Sequence, residues 1–417
     1  MGRARRRRRV RGWQREQEAW RSTVALSDLS FHMSDTVFEG PDATRLLRDV
    51  SANDYDRFAI GQAKQFVPVS YDGNIITDGI LLREAPDRYA LTGVPAAQNW
   101  VTFHAERNGY DVAFSTDPDS SVRRAGDPKL FRFQIQGPHA LEVAARAFGG
   151  PLPETKFFHS VFVDVDGRRV RALRHGMAGQ AGYEFIGSFA DHGAVKDALL
   201  EAGEPLGLVP VGGMAYFTNG VESGWIPTPT PAIYTDPRLA DYRRWLSAFS
   251  YEGKKPLGGS FYSDDIADYY LSPWELGYGR SITLDREFIG RDALNEAHEL
   301  VRRRKVTLEF DAADVAAVFD DHPGYVRTYD RHRVQAQDGA LVGMTFWTAT
   351  IAPLDRILAL ALVDEGVAEP GTELEVAWGE HPGHGTAPDA DLGFPRIRAT
   401  VRPSPYNEYT RTAYRAA

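Results

Sequence analysis

Val221–Thr235, V-E-S-G-W-I-P-T-P-T-P-A-I-Y-T, gathers a carboxylate, an indole and a phenol around a ladder of prolines. Pro227, Pro229 and Pro231 fix φ and remove a backbone donor at every second residue, so the stretch is neither a helix nor a central strand. It reads as a stiff, extended loop that holds Trp225 and Tyr234 at little entropic cost, which suits a pocket wall; a rigid surface loop with packed aromatics is the competing reading. His381 and His384, in H-P-G-H-G, have ligand-like spacing but sit in a Gly/Pro loop without a nearby carboxylate pair, and no metal is assigned to them. G-x-G-x-x-G, Walker A, G-x-S-x-G and H-E-x-x-H patterns do not occur, which argues against nicotinamide, nucleoside-triphosphate, serine-hydrolase and zincin chemistry. With no cysteine, disulfides, thiolate nucleophiles and cysteine-held clusters are excluded.

The elements around that loop repeat. Thr36–Val50 runs strand, Gly40-Pro41, amphipathic helix; Phe131–Phe148 runs strand, Gly137-Pro138, helix, 97 residues later. After the first helix come a hairpin over 63–82 with Asp72-Gly73 in its turn, a strand at 87–93, a helix at Asn99–Asn108 and a strand at Tyr110–Phe114. After the second come a hairpin over 160–174 turned at Asp166-Gly167, a strand in Y-E-F-I-G and a helix near Ala194–Glu201. Single helices alternating with antiparallel hairpins predict two split βαβ, ferredoxin-like modules, an α+β arrangement. Trp13–Ala25 reads as a leading helix, and 236–300 as an aromatic-rich extension ending in a helix at Arg291–Val301. Beyond Arg304, six short alternating strands predict a small β-barrel or sandwich.

At 417 residues, with 43% hydrophobic and 25% charged residues, the composition is that of a globular protein with two or three domains. No apolar run suits a membrane span and no secretory signal is visible, so the cytoplasm is the expected location. The net charge is −9, yet seven arginines lie within Met1–Arg11 and leave the rest near −16. That tail is expected to be disordered; nucleic acid is not an expected partner apart from a role of the tail, and the oligomeric state is left open.

Arg174–Phe185, R-H-G-M-A-G-Q-A-G-Y-E-F, resembles the G-Y-T-G-E-x-G-F-E signature of the tetrahydrofolate-binding T-protein (aminomethyltransferase) family. G-L-V-P-V-G-G-M-A at 207–215, V-E-S-G at 221–224, F-I-G-R-D-A-L at 288–294 and V-G-M-T…A-P-L…L-A-L-A-L-V at 342–363 follow in family order. Within that family, F-R-F-Q-I-Q-G-P, L-R-H-G-M-A-G, the proline ladder and P-W-E-L-G-Y-G-R look like tetrahydrofolate-dependent aryl O-demethylases of the vanillate and syringate type. The resemblance implies a T-protein-like fold with a tail at 1–12, modules at 13–125 and 126–300 that together bind folate, and a barrel at 301–417. It also implies methyl transfer from a small methoxyaromatic substrate to tetrahydrofolate, giving 5-methyltetrahydrofolate.

The implied roles follow residue by residue. Departure of a phenolate is eased by protonation, and a tyrosine hydroxyl of pKa about 10 is matched to it; the resemblance gives this role to Tyr234, the alternative being a structural phenol on a backbone carbonyl. Glu184 would accept the pterin's N–H donors, or cap a turn, while Met177 would pack on the ring and Trp225 stand with the cofactor-binding residues. Asp78 would lie near the reacting nitrogens, or be a plain hairpin residue, and His32 would hydrogen-bond the substrate's ring oxygens. Three features depart from the family. Val94 stands where demethylases of aromatic acids carry Arg, so a substrate without a carboxylate there, or held differently, is expected. Leu29 makes the corner before His32 apolar, and the arginine tail replaces the segment that ordinarily supplies further pocket residues. Glycine-cleavage aminomethyl transfer is the rival activity, disfavoured by Phe217 and Gly220 where that activity has a charged pair; a non-catalytic folate-binding protein is the rival of another class.

Overall fold

The computed structural model describes residues 2–227, 229–254, 256–319 and 324–414, with side chains from Gly12 onward. Helix α1 (Gly2–Ser22) continues back through the arginine run set apart above as a tail, whose side chains over residues 1–11 lie outside those described. It stops before β-branched Thr23 and Val24, so Val24–Asp28 is strand β1 rather than the end of the expected helix.

Next come β2 (Ser34–Glu39), α2 (Ala43–Asp49), β3 (Ala63–Phe66), β4 (Gly79–Ala85), β5 (Arg88–Gly93), α3 (Pro95–Arg107) and β6 (Ala113–Asp117). They form a sheet of order β3-β4-β5-β2-β6, the ferredoxin-like order with β3 added at its edge. Leu46 and Leu47 of α2 and Trp100 and Val101 of α3 bury against Phe38, Leu81, Tyr89 and Leu91 of the strands.

The second half runs β7 (Leu130–Gln136), α4 (Ala140–Ala147), β8 (Ser160–Val165), β9 (Arg168–Arg174), β10 (Gly182–Ser188), α5 (His192–Gly203) and β11 (Leu208–Val211). Asp166 (φ 50°) and Gly167 (φ 79°) close the β8–β9 hairpin in two residues, as expected for Asp-Gly. The sheet order is β11-β1-β7-β10-β9-β8. Strand β1 wedges between the first and last strands of this module, parallel to β11 and antiparallel to β7. The chain therefore crosses the division at residue 125, because α1 and β1 belong with the second sheet.

The Gly-Pro repeat has a steric cause. Gly40 (φ 149°) and Gly137 (φ 129°) pass so close to a neighbouring backbone that a Cβ would lie 2.3 Å from the Asp111 carbonyl and 2.6 Å from that of Thr23. In each module the glycine lets the strand–helix turn lie against an incoming chain.

Short helices α6 (Gly213–Tyr216) and α7 (Asn219–Ser223) lead into the proline ladder. The C-terminal domain comprises β12 (Arg303–Phe310), β13 (Arg327–Thr328), β14 (Arg333–Gln335), β15 (Leu341–Ile351), β16 (Arg356–Asp364), β17 (Glu373–Ala377) and β18 (Arg396–Arg402). Pairing of β15 with β16 closes six of these into a barrel, with β13 alongside β15. Strand β16 is buried on both faces. Ile357, Ala359, Ala361 and Val363 fill the barrel, whereas Leu358, Leu360 and Leu362 pack outward on Val221, Ile226 and Leu271, locking the barrel to the proline-ladder segment.

Candidate functional site

Strand β7 alternates two chemistries. Phe131, Phe133 and Ile135 point into the core under α4 and α5, leaving Arg132, Gln134 and Gln136 on the opposite face, all less than a tenth exposed. Glu184 is the direct partner of Gln134 across β7–β10 and shares that face. Arg132 is ion-paired with Glu184 and, at 3.0 Å, with Asp35 at the start of β2, so it bridges the two sheets. Burial opposes its charge, but the two carboxylates overcome this and hold the guanidinium firmly protonated. Several neighbours keep unused polar capacity: both amide atoms of Gln134 and Nδ1 of His175 are buried without a partner among the described residues. Buried groups of this kind are ordinarily met by water or by a polar ligand. Gln136 is already employed, its Oε1 accepting from the backbone N–H groups of Met177 (3.0 Å) and Ala178 (2.9 Å).

Tyr216 links two of the expected residues, Met177 and His32. Its hydroxyl donates to the Met177 thioether at 3.4 Å, and its ring meets His32 edge-on at 4.8 Å; Phe217 meets His32 at 5.4 Å. Burial lowers the His32 pKa, with Asp119 opposing, and keeps the imidazole neutral at pH 7. Leu29 is buried beside Arg132, its N–H donating to the Arg132 carbonyl at 2.8 Å.

A second cluster stands at the same end of the first sheet. The registers Ser34↔Gly93 and Ile80↔Thr92 bring the starts of β2 and β4 to the end of β5, gathering His32, Asp78 and Val94 at one edge. Gly93 and Gly79 make this close approach possible, for a Cβ on Gly93 would fall 3.2 Å from the Gly79 Cα. Asp78 is 2% exposed. Gln65 (2.5 Å), Trp225 Nε1 (2.7 Å) and the Tyr278 hydroxyl all donate to its Oδ2, while Oδ1 takes no hydrogen bond from the described residues. Burial raises its pKa to about 6 against those donors and the field of Lys305. Val94 is the uncapped residue before α3 and offers no charge.

Tyr234 lies apart. Its ring packs on the first module's core, and its hydroxyl donates to the Glu252 carbonyl at 2.8 Å. The Glu252 carboxylate is itself buried and held by Asn99 (3.0 and 3.1 Å) and the Tyr242 hydroxyl (3.1 Å). His381 is likewise a local structural group, stacked on Tyr262 at 4.6 Å and bonded within its own loop to Ala387 and Gly383.

Arg132, Gln134, Gln65, Tyr216 and Tyr278 were missed by the sequence reading. The signal for the first two was present: F-R-F-Q-I-Q alternates aromatic and polar residues in a strand whose neighbours are all core-like.

Comparison with known proteins places the chain among its relatives. A GCVT N-terminal domain model matches residues 4–229. The chain is 37% identical over 415 residues to a syringate O-demethylase of Sphingobium sp., covering 96% of this chain and 90% of that protein. It is 29% identical over 425 residues to a sesamin methylene transferase of Sinomonas sp., covering 95% and 89%. The crystal structure of the glycine cleavage system aminomethyltransferase T from Bartonella henselae superposes with a TM-score of 0.65 over 95% of this chain and 90% of that one, at 19% identity, a likeness of fold.

Proposed function

The chain belongs to the GCVT family of aminomethyltransferase-like proteins, and on that footing we propose that it is a tetrahydrofolate-dependent O-demethylase that takes the methyl group of a methoxylated aromatic compound. Tetrahydrofolate, when bound, supplies the N5 amine that accepts the methyl. The face of Glu184, Gln134 and His175 suits its pterin, with a carboxylate for N–H donors and unsatisfied amide and imidazole groups beside it. Met177, held by Gln136 and Tyr216, stands beside that face, whereas Trp225 stands on Asp78.

The observation that carries the reading is Asp78: a buried carboxylate with three donors on one oxygen and the other left open. Those donors fix the carboxyl plane, so Oδ1 is preorganised to take a proton from the amine as the methyl arrives. A pKa near 6 leaves it mostly ionised at pH 7, yet basic enough to hold a proton.

A proton donor must also reach the departing aryl oxygen. Tyr234, given that role by resemblance, has its O–H on the Glu252 carbonyl and serves better as a brace for the 251–254 segment. We assign the donor to Tyr216. Its hydroxyl rests on a weakly accepting thioether and is free to turn to a better acceptor beside His32. Burial raises the phenol's pKa, so it stays protonated and stabilises the departing oxygen as a hydrogen-bond donor rather than by giving up its proton outright.

The substrate lies between Asp78, His32 and Val94. With no cation at Val94, methoxyarenes lacking a carboxylate fit that edge best. The test is chromatography of methoxyarenes incubated with protein and tetrahydrofolate: the free phenol appears only when both are present. Phenol formation without tetrahydrofolate would contradict the proposal.

A further inference from the structure

Helix α1 reaches the back of the segment that carries Tyr216 and Trp225. Gln17, fully buried, satisfies three groups at once: its amide donates to Thr218 Oγ1 (2.7 Å) and the Thr350 carbonyl (2.9 Å), and its Oε1 accepts from Ala352 N–H (2.8 Å). Thr218 lies between α6 and α7, whereas Thr350 and Ala352 belong to the barrel, so one side chain ties the two together. One turn on, Arg21 is ion-paired with Glu222 of α7, which is 1% exposed and three residues before Trp225. Glu16 accepts from Gly212 N–H at 2.9 Å, just ahead of α6. The ends of the 212–225 segment are therefore held by α1, while Tyr216 meets Met177 and His32 and Trp225 meets Asp78. Gly224 (φ 72°) leaves no slack, because a Cβ there would lie 2.7 Å from Ser404 Oγ.

We infer that Gln17 and Arg21 are positioning residues for the demethylation reaction: they set where Tyr216 stands relative to His32 and where the Trp225 indole meets Asp78. The inference rests on the proposed activity, since it concerns the geometry of that same site. Neither side chain touches the reacting groups. Their influence passes through Thr218 to Tyr216 and through Glu222 to Trp225. Misplacement of a catalytic group by about 1 Å costs on the order of 100-fold in rate.

The test uses the full chain. Arg21→Met alone strands a buried carboxylate, so it is paired with Arg21→Met/Glu222→Leu, which removes both charges and refills the space, an exchange that buried ion pairs often tolerate. Turnover of a methoxyarene is measured per fraction of protein with the wild-type near-ultraviolet circular dichroism spectrum, with Tm alongside. The double variant should keep a near-wild-type Tm and tetrahydrofolate KM while kcat falls roughly 10- to 100-fold, and Arg21→Lys should recover part of the loss. Wild-type kcat in the folded double variant would overturn the inference. So would failure of both variants to fold, because α1 would then be a staple of the fold alone. A wild-type protein that turns over no methoxyarene would instead count against the proposed function.

Discussion

Asp78→Asn separates the charge of the central carboxyl from its shape. In the folded protein the carboxyl pKa is about 6 against an ordinary 3.8, chiefly through burial. A shift of roughly two units, at 1.36 kcal/mol each, amounts to about 3 kcal/mol. The native state holds this proton over a pH range in which the unfolded chain has already released it, so the carboxyl lowers stability as pH rises from about 4 to about 6. Above pH ~6 the penalty is fully present. Asparagine keeps an acceptor for Gln65, Trp225 and Tyr278 but carries no charge. Urea unfolding across pH 4–8 should show the variant gaining on wild type as pH rises, by up to ~3 kcal/mol at the alkaline end. Activity should move the other way. Wild-type kcat/KM is expected to climb with an apparent pKa near 6, and Asp78→Asn to lose that limb together with ~100- to 10,000-fold in kcat. A variant that kept the limb and the wild-type plateau would refute the role given to Asp78.

The two phenols are expected to diverge: Tyr216→Phe should lower kcat ~100-fold or more with little change in Tm, whereas Tyr234→Phe should cost about 1 kcal/mol of stability, read by thermal melting, with kcat within a few-fold. Arg132→Met leaves the buried Glu184 and the half-buried Asp35 without their shared cation and should destabilise by ~3–5 kcal/mol in urea unfolding. Val94→Arg should lower KM for methoxybenzoates and raise it for neutral methoxyarenes, as steady-state kinetics on paired donors would show; an unchanged preference would mean the carboxylate is held elsewhere.

Much of the fold was legible because the repeat is written in residues that geometry demands. Gly40-Pro41 and Gly137-Pro138 recur where backbones nearly touch, Asp166-Gly167 closes a hairpin of the type it favours, and the six expected C-terminal strands close the barrel. Strand β1 was not legible. V-A-L-S-D continues an amphipathic helix by composition, and only long-range pairing with β7 and β11 makes it a strand. Within the site, the resemblance pointed to Asp78, Glu184, His32, Met177 and Trp225; the fold sets Trp225 on Asp78, links Met177 to His32 through Tyr216, and ties Glu184 through Arg132 to Asp35. At Tyr234 the two readings weighed in the sequence stand side by side: the resemblance gives it the acid's role, while its hydroxyl engages the Glu252 carbonyl, a backbone acceptor that no side-chain pattern announces. Tyr216 drew no notice because A-Y-F-T-N-G was weighed only through Phe217 and Gly220, and only the fold sets its ring against His32.

Methyl transfer is tested most directly with a methoxyarene carrying carbon-13 in the ether methyl. Incubated with the protein and tetrahydrofolate, it should yield one labelled 5-methyltetrahydrofolate for each phenol released, by mass spectrometry, with both products forming ~100- to 10,000-fold more slowly with Asp78→Asn. Phenol released with the label in formaldehyde or methanol, and none on the folate, would contradict the account.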